Sequence, residues 1–284
     1  MNILEVYNLC KSYKTFNLNS LNFSISEGKI VGFVGENGSG KSTTMKIIAG
    51  LVKANSGEVK FYNKDIDKLN EIEKSEIAFI LDELCFPENY KIKELVKILC
   101  DIFDNLDKEK LLKQINDFKL PLDKKIKELS KGMKAKLNIS VMLAKKSKFL
   151  VLDEPTNGLD PFTRDEFLDI LLNENLNNGT TILISSHIIS DLERICNEFI
   201  FIHNGSIILN DSKENIYNNY KVIKIKNFDS NNKFKGIYRY KKISSDEYEL
   251  LVDKDCELIN EENIVNSNIE KILVLFVRGN KLCY

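Results

Sequence analysis

No sign of charge predominates in this chain. Its 41 lysines and arginines stand against 42 aspartates and glutamates, so no global field draws it onto nucleic acid or anionic lipid, and any such binding needs a local patch. The six cysteines, Cys10, Cys85, Cys100, Cys196, Cys256 and Cys283, include no C-x-x-C pair. That spacing speaks against a zinc site or a disulfide framework, and the thiols read as reduced apolar residues of a cytosolic protein. Long hydrophobic runs are missing as well. A span needs ~20 apolar residues, and the longest candidate, Ile269 to Val277, already carries Glu270 and Lys271 at its start. Met1 to Lys14 has no basic segment followed by an apolar core, so no secretory signal is expected. Repeats and low-complexity tracts are absent too. The remaining expectation is a globular chain whose 284 residues, 43% of them apolar, suffice for one large or two modest domains.

The most informative stretch runs from Ile30 to Thr44. Gly35 to Ser42 fits the phosphate-loop pattern G-x-x-x-x-G-K-S/T, with an apolar strand-like run before it and a helix-like run, Thr43 to Leu51, after it. Binding a phosphate requires several backbone N–H groups aimed at one point, hence a tight turn of the kind Gly35, Gly38 and Gly40 allow. The following helix adds its unpaired N–H groups and positive dipole end. Asn37, Ser39 and Thr43 belong to the same cradle. Lys41 can neutralise the β and γ phosphates of a nucleotide, and the Ser42 hydroxyl is placed to ligate Mg²⁺.

Before this loop, Ile3 to Val6 and Leu18 to Ile25 read as paired strands closed by the Glu27-Gly28 turn. On burial preference alone Tyr13 is a half-buried strand aromatic. After the loop, Glu58 to Tyr62 and Ile77 to Leu81 form a second strand set. From about Tyr90 the period turns helical, with Leu95, Ile98, Leu99, Ile102 and Phe103 on one face and Leu111, Leu112, Ile115 and Phe118 on another, up to Pro121. Ser130 can cap a helix from about Lys131 to Lys145. Lys148 to Leu152 is a buried strand ending in Asp153 and Glu154. The first carboxylate suits a Mg²⁺ shell and the second the orientation or deprotonation of a water. Another apolar strand, Thr180 to Ser185, leads to His187 at the rim where α/β sheets bind ligands, then to a helical run over 188–199. His203 reads as an exposed strand residue before a hairpin turn. Residues 221–242 hold eight basic side chains and one acid, and 243–270 nine acids and one base. Such blocks suit solvated strand faces that pair with each other, a membrane-surface patch being the competing reading.

The order of phosphate loop, helical insertion, Leu129-Ser130-Lys131-Gly132, strand with Asp153-Glu154, and His187 after a strand resembles the ATP-binding subunits of ATP-binding-cassette (ABC) transporters. The likeness covers about residues 1–215 and is greatest to subunits of bacterial exporters whose membrane protein is a separate chain. It implies an α/β fold: a P-loop ATPase core with an antiparallel β subdomain and a helical insertion at about 88–146. A small β-rich accessory region over 218–284 follows the ATP-binding domain of 1–217. It further implies that ATP with Mg²⁺ is bound and hydrolysed in a head-to-tail dimer, homomeric or heteromeric. The partner would be an integral-membrane permease at the inner face of the cell membrane, with no nucleic acid involved. By the same resemblance Tyr13 stacks on adenine. Ser130, Gly132 and Met133 close over the γ-phosphate of the other subunit, and Asp160 lies in the dimer-contacting loop. Asp153 joins Ser42 at Mg²⁺, Glu154 is the catalytic carboxylate, Lys41 serves the phosphates, and His187 is the γ-phosphate switch. A soluble ATPase of the same fold acting on nucleic acid or ribosomes is the alternative, supported only by the basic segment 221–242.

Three positions depart from the family pattern. Lys131 stands for a glycine and Met133 for a glutamine of the usual Leu-Ser-Gly-Gly-Gln, and Asp82 stands where a glutamine usually touches Mg²⁺ and the attacking water. A carboxylate ~4 Å from a phosphate oxygen is repelled by about 4 kcal/mol at an effective dielectric of 20, so Asp82 either ligates Mg²⁺ or points away. If it is a ligand, Asp82→Gln leaves ATP binding intact and shifts the Mg²⁺ titration of the ATPase rate; an unchanged titration counts against that role.

Overall fold

The computed structural model describes residues 1–81, 86–229 and 234–281; Asp82 and its predicted role lie outside the described residues. The chain begins with strands β1 (Asn2–Ser12), β2 (Asn17–Ser26) and β3 (Ile30–Val34). Helix α1 (Lys41–Ile48), strands β4 (Ser56–Phe61) and β5 (Lys64–Asp65), helix α2 (Glu71–Ser75) and strand β6 (Ile77–Leu81) follow. Next come α3 (Ile92–Ile102), α4 (Lys108–Asp117) and α5 (Lys131–Ala144), then β7 (Phe149–Asp153), α6 (Pro161–Asn178), β8 (Thr181–Ser185) and α7 (Ile189–Ile195). The last elements are β9 (Glu198–His203), β10 (Ser206–Ser212), α8 (Lys213–Asn219), β11 (Tyr220–Lys226), β12 (Ile237–Lys242), β13 (Glu247–Asp253), β14 (Ile264–Val265) and α9 (Ile269–Arg278).

A six-stranded sheet in the order β10-β9-β3-β8-β7-β6 forms the centre, parallel except for β10 at its edge. Every residue of β3, β7 and β8 is buried. This is why these strands read as unbroken apolar runs, since both faces of a parallel sheet are covered. One face carries α5, α6, α7 and α9. The other carries α1 and the four-stranded antiparallel sheet β2-β1-β4-β5, with Met45, Ile48, Phe61 and Phe149 between the layers. The strands expected as a second set therefore part company: β4 pairs with β1, and β6 pairs with β7 in the parallel sheet.

The helical insertion has its own core, in which Leu95, Leu99, Leu111, Ile115, Leu137 and Val141 meet. The buried stripe of α3 is rotated from the expected face. It consists of Ile92, Leu95, Val96 and Leu99, while Ile102, in the last turn, is 63% exposed. Ser130 caps α5 as expected, its Oγ accepting from the Met133 N–H at 3.2 Å. The helix expected over 188–199 is shorter. It stops at Ile195, because Asn197 is pinned at both ends to the start of β3: its N–H donates to the Ile30 carbonyl and its Oδ1 accepts from the Ile30 N–H. The run Phe199-Ile200-Phe201-Ile202 then enters the sheet as β9, with all four side chains buried.

After α8 a second antiparallel sheet, β12-β13-β11-β14, sets the basic and acidic segments against each other. Lys224 of β11 and Lys241 of β12 both register with Glu249 of β13, and Lys271 of α9 reaches Glu249 at 2.6 Å. The pairing of oppositely charged strands thus accounts for the block pattern. Val222 and Leu251 face the main core, as do Ile269, Ile272 and Leu273 of α9, so the C-terminal sheet and helix are packed onto the central layers. Among the described residues no helix is long and apolar enough to cross a membrane. Leu273, 1% exposed inside this shared core, is expected to cost about 2–5 kcal/mol on truncation to alanine. Thermal unfolding of the whole chain, followed by circular dichroism, should report that loss as one downshifted transition rather than early melting of the C-terminal part.

Candidate functional site

Four strand ends of the parallel sheet meet at its carboxyl edge. The phosphate-loop segment leaves β3, Asp153 ends β7, Ser185 ends β8 next to His187, and His203 ends β9. The geometry explains all three glycines, Gly38 by its φ of +78°. Gly40 has φ +114°, and a Cβ there would lie 2.4 Å from Leu18 Cδ2 and 2.8 Å from Phe16 Cζ. Gly35 has an ordinary φ but no room, since a Cβ would come within 2.4 Å of the Ile202 carbonyl and 2.5 Å of Ser39 Oγ. No side chain caps α1, so its first N–H groups remain available to an anion.

Lys41 is 5% exposed and bends back over the loop, donating to the carbonyls of Gly35 at 2.7 Å and Glu36 at 3.3 Å, with Glu154 Oε1 at 3.9 Å. Burial pulls its ammonium below the ordinary lysine range, a shift that Glu154 and Asp153 oppose. The Ser185 hydroxyl donates to Asp153 Oδ1 at 2.6 Å and accepts from the Glu154 N–H at 2.9 Å, tying the end of β7 to β8. Glu154 sits in the left-handed region at φ +49°, which costs of order 1–3 kcal/mol for a residue with a side chain. Its contacts over-determine that conformation. Beyond the Ser185 bond, Glu154 Oε2 accepts from the His187 N–H at 3.2 Å and lies 2.7 Å from His187 Nδ1.

A cavity of about 520 Å³ opens over this edge, lined by Asn37, Gly38, Gly40, Lys41, Ser42, Thr43, Glu154 and His187 of the predicted residues. Gly35 and Ser39 form the loop's underside, and Asp153 lies beneath Glu154, 2% exposed. The cradle fits a nucleotide triphosphate. It offers a buried ammonium and uncapped helix N–H groups. Among the described residues no three His, Cys, Asp or Glu side chains form a metal cage. Mg²⁺ needs none here, since it keeps several waters and takes one or two protein oxygens plus phosphates, a set that Ser42 and Asp153 suit.

The remaining predicted residues lie elsewhere. Tyr13 is 46% exposed with the Lys11 ammonium 5.4 Å from its ring centre, and its N–H closes a turn on the Phe16 carbonyl. That turn sends Phe16, not Tyr13, to the wall of the cavity. Sequence reasoning missed Phe16 and Ser185, because a lone aromatic or serine at a strand end carries no local signal. Ser130, Gly132 and Met133 stand at the start of α5. Gly132 faces Thr163, and the Lys131 ammonium lies where a Cβ on Gly158 would be. Lys134 approaches Glu88 at 3.7 Å. Asp160 caps α6, its Oδ1 accepting from the Phe162 and Thr163 N–H groups and its Oδ2 from the Thr163 hydroxyl at 2.7 Å. His203 is more than an exposed strand residue: its Nδ1 is buried and faces Glu36 at 3.6 Å.

Comparison with known proteins agrees with this geometry. The family model described as "ABC transporter" matches residues 18–157. The lantibiotic transport ATP-binding protein SrtF of Streptococcus pyogenes is 37% identical over 220 residues, covering 75% of this chain and 94% of that protein. The ABC transporter ATP-binding protein YtrB of Bacillus subtilis is 34% identical over 190 residues, 67% of this chain and 65% of its own length. Among solved structures, an ATP-binding subunit of an ABC transporter superposes with a TM-score of 0.68 at 28% identity, covering 75% of this chain and 91% of the other.

The Thr163 hydroxyl, followed by the Thr163 and Phe162 N–H groups, holds the Asp160 carboxyl below its ordinary range. Its contribution to stability is therefore complete above the unfolded value of about 4 and disappears as the pH falls through the depressed folded value. The melting-temperature gap between the parent and Asp160→Ala is expected at full size at pH 7 and to shrink below about pH 4; a gap independent of pH would assign the stabilisation to something other than the carboxylate.

Proposed function

The chain belongs to the ATP-binding subunits of ABC transporters, ATPases that work on ATP with Mg²⁺, and we propose that it is the energy-coupling subunit of an exporter whose permease is a separate membrane protein. The observation that carries this reading is the convergence of Lys41, Glu154 and His187 on one cavity at the sheet edge. Lys41, the N–H groups of the loop and the start of α1 hold the phosphates. Mg²⁺, when bound by Ser42 and Asp153, neutralises charge on the phosphate oxygens. His187 and Lys41 both contact Glu154 here. A γ-phosphate entering between them takes over these two donors, and Glu154 is freed to orient the attacking water. Phe16, on the cavity wall, is the aromatic against which the base would lie.

Two further parts follow from what one chain lacks. Ser130 and Gly132 do not line the phosphate cavity of their own chain, which supports a two-fold dimer in which each subunit's α5 start closes over the other's nucleotide. The insertion presents Tyr90, Ile102, Leu112 and Leu122 at 43%, 63%, 38% and 40% exposure. These apolar side chains suit the permease contact, and a peripheral position on the inner membrane face follows from it. Relatives are named for lantibiotic transport and bacitracin transport, which makes antibiotics of these two kinds the first export substrates to test. The alternative, action on nucleic acid or ribosomes, rests only on the basic segment 221–242, two of whose lysines, Lys224 and Lys241, register with Glu249 of β13.

Glu154→Gln removes one pre-organised polar contact, and a loss of ~10²- to 10³-fold in ATPase rate is expected with ATP binding retained; near-parent turnover would mean another group positions the water. For the transporter assignment, the chain is to be recovered from detergent-solubilised native membranes with and without ATP. A stoichiometric multi-span protein is expected to accompany it, whereas recovery with ribosomes or nucleic acid would overturn the exporter reading.

A further inference from the structure

The C-terminal helix α9 reaches the phosphate loop. Arg278, its last residue, places a guanidinium nitrogen 3.0 Å from Glu36 Oε1, across 242 residues of sequence. The other carboxylate oxygen, Oε2, lies 3.6 Å from His203 Nδ1. Asn204 Nδ2 stands 3.0 Å from His203 Nε2, on the other side of the ring. Glu36 is the second residue of the phosphate loop. Its backbone carbonyl accepts from Lys41 Nζ and from the Ser39 N–H at 3.1 Å, so whatever holds Glu36 also holds the curl of the loop. Between α9 and the loop lies a cavity of about 310 Å³ bounded by Gly35, Asn37 and His187 on one side and Leu273, Val274 and Val277 on the other. Because the two sides are separated by this gap, the Arg278–Glu36 pair is a direct polar link across it rather than a by-product of tight packing.

A carboxylate in a loop built to gather phosphates is an electrostatic liability: left free, Glu36 would repel a triphosphate approaching the same backbone. We propose that α9 braces the phosphate loop and that Arg278 is a positioning residue for ATP capture, acting through Glu36 by turning and neutralising its carboxylate. The inference rests on the reading that Gly35 to Ser42 holds the phosphates. It gives the C-terminal region a task at the nucleotide site, since any movement of α9 away from the loop uncovers a negative charge there.

The pair is solvent-exposed, with Arg278 at 68% and Glu36 at 44% side-chain exposure, so the expected effect is modest, roughly two- to fivefold. In the full-length chain Arg278→Ala should raise the KM for ATP by that factor with kcat within twofold of the parent. The rise should fade as ionic strength increases past the range in which exposed charges interact. Arg278→Lys should recover most of the loss. The discriminating variant is Glu36→Gln in the Arg278→Ala background: removing the uncovered carboxylate returns KM to the parent value. A purely structural role for Arg278 would lower kcat and melting temperature together and would not be corrected by Glu36→Gln. An unchanged KM in Arg278→Ala, or a raised KM that Glu36→Gln leaves in place, overturns the inference. Lys41→Ala, titrated in parallel with a fluorescent ATP analogue, separates the two levels. Loss of binding there upholds the phosphate-loop reading whatever Arg278 does, and full binding there would overturn that reading itself.

Discussion

An ammonium group taken out of water needs oxygens around it, and the buried Lys41 finds them in the carbonyls of its own loop and in Glu154. Much of the structure around the cavity follows from that requirement. The loop must curl until Gly35 and Glu36 present their carbonyls to a side chain five or six positions later. The curl leaves no room for a Cβ at Gly35 and forces a left-handed backbone at Gly40. Glu154 must come within reach from β7, which is separated from β3 by β8. The intervening strand supplies the tie: Ser185, its last residue, bonds both Asp153 and the backbone of Glu154.

The parallel arrangement of the sheet makes this convergence possible, because it brings the carboxyl ends of β3, β7 and β8 to one edge, where a crevice forms. The strained backbone of Glu154 is affordable only there, where a serine and a histidine hold it. Glu154 and Asn157 also line a second cavity, of about 380 Å³, together with Lys131 and Lys134 of α5. The same carboxylate thus stands between the phosphate cradle and the helix that carries Ser130 and Gly132. A shift of α5 against the sheet and a change of occupant in the cradle are consequently felt by one side chain.

The C-terminal region is joined to these parts in two ways. Its apolar contribution, from Val222, Leu251 and α9, is continuous with the main core. Its polar contribution is the contact of Arg278 with Glu36. The first fixes where α9 lies, and the second brings its last residue to the loop that defines the site.

Local features were legible in the sequence because their cause is local. The glycine spacing of the phosphate loop, the fully apolar strands β3, β7 and β8, and the Ser130 cap each arise from residues within one turn or one strand. The acidic pair after β7 and the histidine after β8 could be named as candidates for the same reason. Tertiary structure alone decided the rest. Whether Phe199 to Ile202 continue a helix or enter the sheet depends on Asn197 meeting Ile30, and the buried stripe of α3 depends on what packs against it. The choice of Phe16 over Tyr13 at the cavity wall, the bridging role of Ser185 and the reach of Arg278 to Glu36 depend on elements far apart in the chain. Periodicity and motif spacing record which way a segment faces; only the packed chain determines what it faces.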